Sequence, residues 1–223
     1  MERKIIKTGD GSATIHLPEW DEQYHSKHGA LQEAMHVFIK MGLDFTIAEF
    51  DKSKLSILEI GFGTGLNALL TAFYGSTIKI EYTGVEAYPV KPEELVVLDY
   101  ASVLPDFDTA ANVFNKLHQV DWEKSSAITS NFSLKKQEKT FQEIQDQDTF
   151  DLIYFDAFGA RVQPELWTEE IFLKMYNSLK LNGVLVTYAA KGSVRRAMQA
   201  VGFIVERLPG PPGKREMLRA VKK

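Results

Sequence analysis

Three acidic residues stand where strands of an α/β protein are predicted to end, and together they could do chemistry. Glu59 lies two residues before a glycine turn, Glu86 ends one predicted strand and Asp156 ends another. In a doubly wound sheet, ligands bind beyond the carboxyl ends of the strands, where the strand order reverses. Carboxylates there can accept ribose hydroxyls, hold a cationic amine or receive a proton. We therefore expect the three side chains to share one ligand site.

The turn from Gly61 to Gly65 carries glycine at every second position. Glycine lets the backbone turn sharply and lets a ligand approach the main chain, with helix N–H groups facing it. Glu86 follows Gly65 by 21 residues and is placed to accept both ribose hydroxyls. An NAD site stays open, because Gly63 to Ala68 also satisfies the G-x-G-x-x-A fingerprint. Glu59, which could hold a cationic amino group, and the third glycine favour a cofactor without a pyrophosphate.

Hydrophobic periodicity predicts the elements that position these residues. Strands are predicted over residues 55–60, 79–86, 131–135, 150–156, 183–188, 203–208 and 216–221, and helices over 29–45, 66–73, 92–100, 140–144, 165–179 and 194–201. The alternation predicts an α/β fold: a doubly wound, Rossmann-like, mostly parallel seven-stranded sheet with a C-terminal antiparallel strand. A small N-terminal β-hairpin (3–17) and helix precede it. We assign residues 1–50 to this extension and 51–223 to the main domain, with one compact unit overall.

The composition narrows the possible chemistry. The 223 residues contain no cysteine, which excludes disulfides, thiolate nucleophiles and cysteine-bearing zinc or iron–sulfur sites. The five histidines lack HExxH-like spacing, so we predict no metal, with a site of histidines and carboxylates as the open alternative.

No apolar run reaches the roughly 18–20 residues of a membrane span, and the N-terminus has no signal-peptide core. We expect a cytoplasmic protein without a membrane partner.

Charge is distributed unevenly along the chain. Residues 191–223 hold nine Lys or Arg against two acids, a balance of +7, whereas residues 1–190 hold 17 bases against 28 acids, a balance of −11. A basic terminal segment can bind a polyanion. A solvated C-terminal hairpin is the alternative, and charge alone favours it.

The segment Glu59-Ile-Gly-Phe-Gly-Thr-Gly-Leu-Asn67 resembles the first motif of class I S-adenosylmethionine-dependent methyltransferases. Its GFGTGLN form resembles more narrowly the methyltransferases of tRNA wobble-uridine maturation, the MnmC/MnmD family. Further segments agree in order between about residues 20 and 220: Tyr24–Ala30 with Glu33, Val85–Pro89, Tyr154–Gly159 with Pro164–Trp167, Tyr188–Arg196, Gly202–Phe203 and Gly213–Met217. The combination is far more specific than any one motif.

This resemblance implies methyl transfer from S-adenosylmethionine to the exocyclic amine of 5-aminomethyl-2-thiouridine in tRNA. In many bacteria the domain is fused to an FAD-dependent oxidase that makes the amine. This chain resembles the stand-alone form, because it ends near where the methyltransferase domain ends, and a separate oxidase upstream is the implied partner. Family members usually carry Gly-Asp after the third strand, where a carboxylate can approach the adenine amino group. Here the stretch reads Leu134-Lys-Lys-Gln-Glu138, so Glu138 is the candidate substitute.

Residue types and the resemblance together define a set of expected site residues. Asp156 is expected to hold and aim the amine and to receive its proton. Cofactor contacts are expected from Tyr24, Glu59, Gly61, Phe62, Gly63, Thr64, Gly65, Asn67, Glu86 and Glu138. Substrate contacts are expected from Phe158 and Trp167, stacking on a flipped base, and from Lys191, Arg195, Arg196, Lys214 and Arg215 on phosphates.

Structural roles stay open for several of these residues. Phe158 and Trp167, close to an apolar helix, are more typical of a core. The segment containing Tyr24 and Glu33 could simply hold the N-terminal helix in place. Asp156 could cap a loop.

Methyl transfer from a sulfonium needs an unprotonated amine. An alkylammonium of pKa about 10 leaves roughly one part in a thousand neutral at pH 7, which costs about 4 kcal/mol. A neighbouring carboxylate favours the charged form. Asp156 is therefore expected to orient the amine rather than to activate it, and the rate should come mainly from proximity and orientation.

Three other functions stay open on the sequence. A methyltransferase of a small amine would need no basic terminus. An NAD-dependent oxidoreductase would need a His or a Tyr-Lys acid/base at the strand ends, which we do not find convincingly. A catalytically idle nucleic-acid-binding module would not need Glu59, Glu86 and Asp156 together.

Overall fold

A computed structural model describes residues 2–75 and 77–223. The strands are β1 (Lys4–Lys7), β2 (Ala13–Leu17), β3 (Glu22–Gln23), β4 (Lys54–Ile60), β5 (Lys79–Glu86), β6 (Ser125–Ala127), β7 (Phe132–Glu138), β8 (Phe150–Phe155), β9 (Leu179–Thr187), β10 (Ile204–Pro209) and β11 (Glu216–Val221). The α-helices are α1 (Ala30–Ala34), α2 (Phe45–Phe50), α3 (Leu66–Tyr74), α4 (Pro92–Leu95), α5 (Phe107–Gln119), α6 (Glu169–Ser178) and α7 (Gly192–Ala200).

The central sheet has the order β10-β11-β9-β8-β4-β5-β7-β6. Strands β4, β5, β7, β8 and β9 pair in parallel, and β11 pairs antiparallel with both β9 and β10. The order reverses beside β4, which has β5 on one side and β8 on the other. The expected α/β, mostly parallel, Rossmann-like fold is confirmed.

The predicted strand number, seven, is wrong by one. The eighth strand is β6, which pairs antiparallel with β7 at the outer edge of the sheet. Its three residues, Ser-Ser-Ala, contain no apolar alternation, and a solvent-facing edge strand needs none. Pairing with β7, rather than local pattern, makes this segment extended.

Two hydrophobic clusters cover the two faces of the sheet. Side chains alternate along a strand, so Leu152 and Tyr154 join one cluster while Ile153 and Phe155 join the other. The first cluster packs against α1, α3 and α5, and the second packs against α6 and α7. The sheet is therefore held between helical layers, and its carboxyl edge is left for a site.

The N-terminal extension forms a three-stranded sheet, β1-β2-β3, where a two-stranded hairpin was expected. A continuous helical stretch follows from Ala30 to Phe50, and its middle part, Met35–Asp44, is π-helical. Ile15 and Ala30 are fully buried in the first core cluster. The extension therefore packs on the main domain and brings its own residues to the carboxyl edge.

Two helices differ from the sequence-based expectation. The helix predicted over residues 92–100 ends at Leu95, while α5 was not predicted at all. Its apolar residues, Ala110, Val113, Phe114 and Leu117, do follow helical spacing, and the Asp106 side chain caps it by accepting from the Thr109 N–H. The signal was present in the sequence, and α5 proves important because its last turn supports the glycine loop.

Candidate active site

A cleft of about 1410 Å³ opens at the carboxyl edge of β4, β5 and β8. Glu59, Glu86 and Asp156 all line it, so the structure brings the three carboxylates to one place. The other predicted residues in its lining are Tyr24, Gly61, Phe62, Gly63, Thr64, Asn67, Glu138, Phe158 and Lys214. The predicted residues outside its lining are Gly65, Trp167, Lys191, Arg195, Arg196 and Arg215.

Asn67 connects two of the carboxylates. Its amide Nδ2 donates to Glu59 Oε1 at 2.9 Å and to Asp156 Oδ2 at 2.8 Å. Because the nitrogen faces two carboxylate oxygens, the orientation of the amide is determined and Oδ1 must point elsewhere. Oδ1 is buried and has no hydrogen-bond partner among residues 2–75 and 77–223. A residue of the cleft lining thus has a buried acceptor without a donor.

Glu59 lies deeper than the sequence suggested. The residue is 1% exposed, and its second oxygen, Oε2, accepts from the Tyr82 hydroxyl at 2.8 Å. Burial raises the pKa of Glu59 well above its ordinary value. Because Glu59 is buried and both of its oxygens are engaged, its role is to hold Asn67, whose Oδ1 is the acceptor left without a donor.

Asp156 follows β8, and its backbone N–H donates to the Ile60 carbonyl. Burial, together with the Glu33 carboxylate, raises the pKa of Asp156 to about 7, while the Asn67 bond and Lys214 act in the lowering direction. A carboxyl that titrates near neutrality can either hold or receive a proton under ordinary conditions.

The glycine loop lies against the end of β5. Gly61, Gly63 and Gly65 all have positive φ, at 86°, 50° and 75°. Glu86 Oε2 accepts the Gly63 N–H at 2.9 Å, and Oε1 accepts the N–H of Tyr88 at 2.9 Å. A Cβ at Gly61 would lie 2.8 Å from the Asp156 carbonyl oxygen, so this position has no room for a side chain. The loop and the Glu86 carboxylate therefore form one preorganised unit.

Two residues that the sequence reasoning missed support the loop from beneath. His118, at the end of α5, bonds the Thr64 carbonyl through Nε2 at 3.2 Å, and the Tyr100 hydroxyl donates to Thr64 Oγ1 at 2.9 Å. Burial lowers the pKa of His118 to about 4, so the ring is neutral at pH 7. Thr64 and Phe62 are almost fully buried, which makes the side chain of Thr64 a structural element of the loop.

Aromatic rings form one wall of the cleft. Tyr24 and Phe158 meet edge to face with centroids 5.0 Å apart, and Trp20 meets Phe158 at 5.8 Å. Phe158 is partly buried rather than part of the deep core. Burial raises the pKa of Tyr24 to about 12, so its hydroxyl stays protonated.

The structure does not place Trp167 where it was expected. Its ring is 6% exposed within the second core cluster, and Nε1 donates to the Phe158 carbonyl at 2.8 Å. A buried ring cannot stack on a base, so the expectation of a substrate contact at Trp167 is wrong. Its bond to Phe158 instead anchors the segment that carries the aromatic wall.

The basic residues of the C-terminal segment lie in two environments. Lys214 lines the cleft and pairs with Glu33 at 2.5 Å. The sequence predicted a free cation at this position for a phosphate, whereas the structure places it in an ion pair. A second concavity of about 570 Å³ shares Lys214 and Tyr188 with the cleft. Its lining includes the further cations Arg161, Lys191 and Arg215.

Lys191, Arg196 and Arg215 are exposed, and none has an ion-pair partner in the described part of the chain. Arg195 is partly buried, and its Nε has no hydrogen-bond partner there. Of these cations, Lys191 and Arg215 line the second concavity beside the cleft.

Over residues 2–75 and 77–223, no group of three or more His, Asp or Glu side chains is arranged to hold a metal ion. Within the same residues, no helix is both long and apolar enough to cross a membrane.

Residues 98–223 match the family described as S-adenosyl-L-methionine-dependent methyltransferase, which is more than half of the chain. The chain belongs to this family. Of the sequence alternatives, the NAD-dependent oxidoreductase and the idle binding module are therefore set aside, and S-adenosylmethionine is the cofactor.

Named relatives and solved structures are similar to this chain over most of its length. The tRNA 5-methylaminomethyl-2-thiouridine biosynthesis bifunctional proteins MnmC of Cupriavidus metallidurans and of Marinomonas sp. are each 29% identical, over 95% and 97% of this chain. The chain spans about a third of the length of these relatives, 33% in both cases. The crystal structure of MNMC2 from Aquifex aeolicus aligns with all of this chain and 70% of that one, at a TM-score of 0.80 and 23% identity. Spermidine synthase from Thermotoga maritima aligns with 99% of this chain and 69% of that one, at 0.61 and 14%. At these identities the solved structures establish the fold.

The cleft fits the cofactor of this methyltransferase family on two observations. The buried Oδ1 of Asn67 lacks a donor, and leaving such an acceptor unpaired costs about 1–3 kcal/mol, so a cationic amino group would be bound favourably. Glu86, at the end of β5, has a carboxylate placed for a ribose. Asn67, Glu86 and the loop from Gly61 to Gly65 would hold the cofactor, and Glu138, in the lining near the end of β7, stays the proposed adenine contact.

Proposed function

We propose that this methyltransferase transfers a methyl group to the exocyclic amine of 5-aminomethyl-2-thiouridine at the wobble position of tRNA. The observation that carries the proposal is Asp156, a carboxyl with a pKa of about 7 bonded to Asn67 in α3, a proposed cofactor ligand. The names of the curated relatives, which specify tRNA 5-methylaminomethyl-2-thiouridine biosynthesis, support the same substrate. An aromatic wall and a neighbouring basic surface suit a flipped base and its phosphates.

The raised pKa of Asp156 matters for the amine. When bound, S-adenosylmethionine supplies an electrophilic methyl group on a sulfonium. Moving a proton from an ammonium of pKa about 10 to a group of pKa about 7 costs on the order of 4 kcal/mol, against about 8 kcal/mol for an ordinary carboxyl. A carboxyl with this pKa suits both parts of the role expected from the sequence, orienting the amine and receiving its proton. Asn67 keeps the Asp156 carboxyl in place throughout.

The base is expected to enter between the aromatic wall and Lys214. Tyr24 and Phe158 present ring surfaces on the cleft, which suits stacking on an unpaired base. The second concavity continues from the cleft at Tyr188 and Lys214 toward Lys191 and Arg215. We propose that the phosphates flanking the base follow this path, where the exposed cations lie.

The decisive experiment offers the enzyme tRNA from a strain that accumulates the 5-aminomethyl base. We expect S-adenosylhomocysteine to form in a one-to-one ratio with 5-methylaminomethyl-2-thiouridine, measured by mass spectrometry of the digested tRNA. Fully modified tRNA is the matched control and should give no product. Turnover of free small amines with no reaction on this tRNA would establish the alternative, a small-amine methyltransferase.

The proposed phosphate path predicts a change in salt dependence. Replacing Lys191 and Arg215 together by alanine should make the slope of log affinity for tRNA against log salt shallower by about 1.4 to 1.8, since each lost phosphate contact removes roughly 0.7 to 0.9. Fluorescence anisotropy at several salt concentrations measures this slope. The matched control is Lys54→Ala with Lys79→Ala, two exposed lysines at the opposite edge of the sheet. Equal effects from both pairs would contradict the proposed path.

The proposed reaction needs a supplier of the primary amine. We propose a separate FAD-dependent oxidase as that supplier, in keeping with the word "bifunctional" in the names of the relatives, whose chains are about three times as long. The tRNA substrate supports a cytoplasmic location.

A further inference from the structure

Glu33 and Lys214 form an ion pair in the lining of the cleft. Glu33 Oε2 and Lys214 Nζ are 2.5 Å apart, and the two side chains are 9% and 32% exposed. Glu33 belongs to α1 in the N-terminal extension, whereas Lys214 lies in the turn between β10 and β11. The other oxygen of Glu33 accepts the Ser26 N–H at 3.3 Å. The pair therefore joins the two ends of the chain across the cleft.

The pair is physically connected to the segment that carries Asp156. Lys214 Nζ lies 3.8 Å from the centroid of the Tyr188 ring, a cation–π contact. The Tyr188 hydroxyl donates to the carbonyl of Ala157, the next residue after Asp156, at 2.8 Å. This chain of contacts connects the Glu33–Lys214 pair to the backbone that follows Asp156.

The two charges of the pair act on Asp156 in opposite directions. Glu33 disfavours the Asp156 carboxylate and Lys214 favours it, and Glu33 has the larger effect. The other charged or titratable groups that act on Asp156 or on which it acts are Glu59 in β4, Tyr82 in β5 and Tyr188 after β9. Glu59 is removed from direct contact by Asn67, which bonds both carboxylates. Glu33 and Lys214 are therefore the two charged side chains whose replacement should change the pKa of Asp156.

We propose that Glu33 and Lys214 are positioning residues that determine the charge Asp156 presents to the acceptor. Paired with each other, they leave Asp156 without a cation of its own, so it stays able to take up a proton. If Glu33 were absent, Lys214 would be free to pair with Asp156 and hold it ionised. The importance for an amine acceptor rests on the proposed function, but the effect on Asp156 does not.

The test is a titration of the Asp156 carboxyl by carbon-13 NMR, with its signal assigned from the spectrum of Asp156→Asn. We expect Glu33→Gln to lower the midpoint and Lys214→Met to raise it, each by about half a unit to one unit. Lys214→Arg, which keeps the charge, should restore a midpoint close to that of the unaltered protein. Lys124→Met, which breaks the exposed pair with Asp121, is the control and should leave the midpoint unchanged.

The outcomes are distinct. Opposite shifts from Glu33→Gln and Lys214→Met support the proposal. No shift, or shifts in the same direction, would overturn it, because a loosened fold moves the midpoint alike in both variants. The titration uses the protein alone, without tRNA. If the two variants shift the midpoint in opposite directions but the enzyme does not methylate tRNA, the proposed function is rejected and this inference is retained.

Discussion

Asp156→Asn is expected to lower kcat/KM for methyl transfer by about 10² to 10⁴, the usual contribution of a positioned proton acceptor. Asparagine keeps the size of the side chain and an oxygen for Asn67, but it cannot receive a proton and has no negative charge with which to hold an ammonium. The affinity for S-adenosylhomocysteine should stay within about twofold, because Asn67, Glu86 and the glycine loop, which the substitution leaves in place, provide the proposed cofactor contacts. Steady-state kinetics and calorimetry measure the two quantities separately.

The pH dependence of kcat/KM is a second test of Asp156→Asn. In the unaltered enzyme, kcat/KM should rise with pH and level off above about 7, where Asp156 loses its proton. Asp156→Asn should remove this limb. Folding raises the pKa of Asp156, so ionisation in the folded state lowers stability as pH rises from the ordinary value, 3.8, toward about 7. The variant should therefore melt no lower than the unaltered protein at pH 8.

The matched control for this variant is Asp121→Asn, which changes an exposed carboxylate on the surface. Its kinetics should equal those of the unaltered enzyme. Unchanged turnover in Asp156→Asn, with cofactor affinity also unchanged, would remove Asp156 from the reaction.

Glu86→Ala is expected to weaken cofactor binding by about a hundredfold or more. Hydrogen bonds to a charged acceptor contribute about 1.5–3 kcal/mol each, and the carboxylate is proposed to accept two hydroxyls of the ribose. The substitution also releases the Gly63 N–H, which Glu86 holds at 2.9 Å, so the glycine loop loses a restraint. Calorimetry with S-adenosylhomocysteine measures the loss, and Glu86→Gln should be intermediate because one oxygen remains.

A control for Glu86 lies on the same strand. Glu81 in β5 is exposed and pairs with Lys54 at 2.8 Å, far along the strand from the carboxyl edge. Glu81→Ala should bind the cofactor as tightly as the unaltered protein. Wild-type affinity in Glu86→Ala would mean that the carboxylate does not contact the cofactor.

Local pattern was enough to predict the architecture and the position of the main carboxylates. Buried parallel strands consist of short apolar runs, and their ends are marked by Glu59, Glu86 and Asp156. Because parallel strands all end at the same edge, residues far apart in the chain can be assigned to one cleft without coordinates. The glycine loop was predictable for a similar reason, since only glycine adopts three positive φ values within five residues at little cost.

What the sequence could not decide is how side chains from different elements meet. Lys214 looked like one more cation of a basic terminus, yet it pairs with Glu33 from the opposite end of the chain. Trp167 stands next to site residues in sequence but faces the core.

By itself, the sequence determined the fold class, the glycine loop and the edge at which chemistry can take place, because these follow from periodicity and strand direction. Tertiary structure alone decided that Asn67 joins two carboxylates, that Glu59 is buried behind it and that Asp156 titrates near neutrality. Hydrogen bonds and pKa values depend on distances of a few ångströms and on burial, and long-range packing determines both.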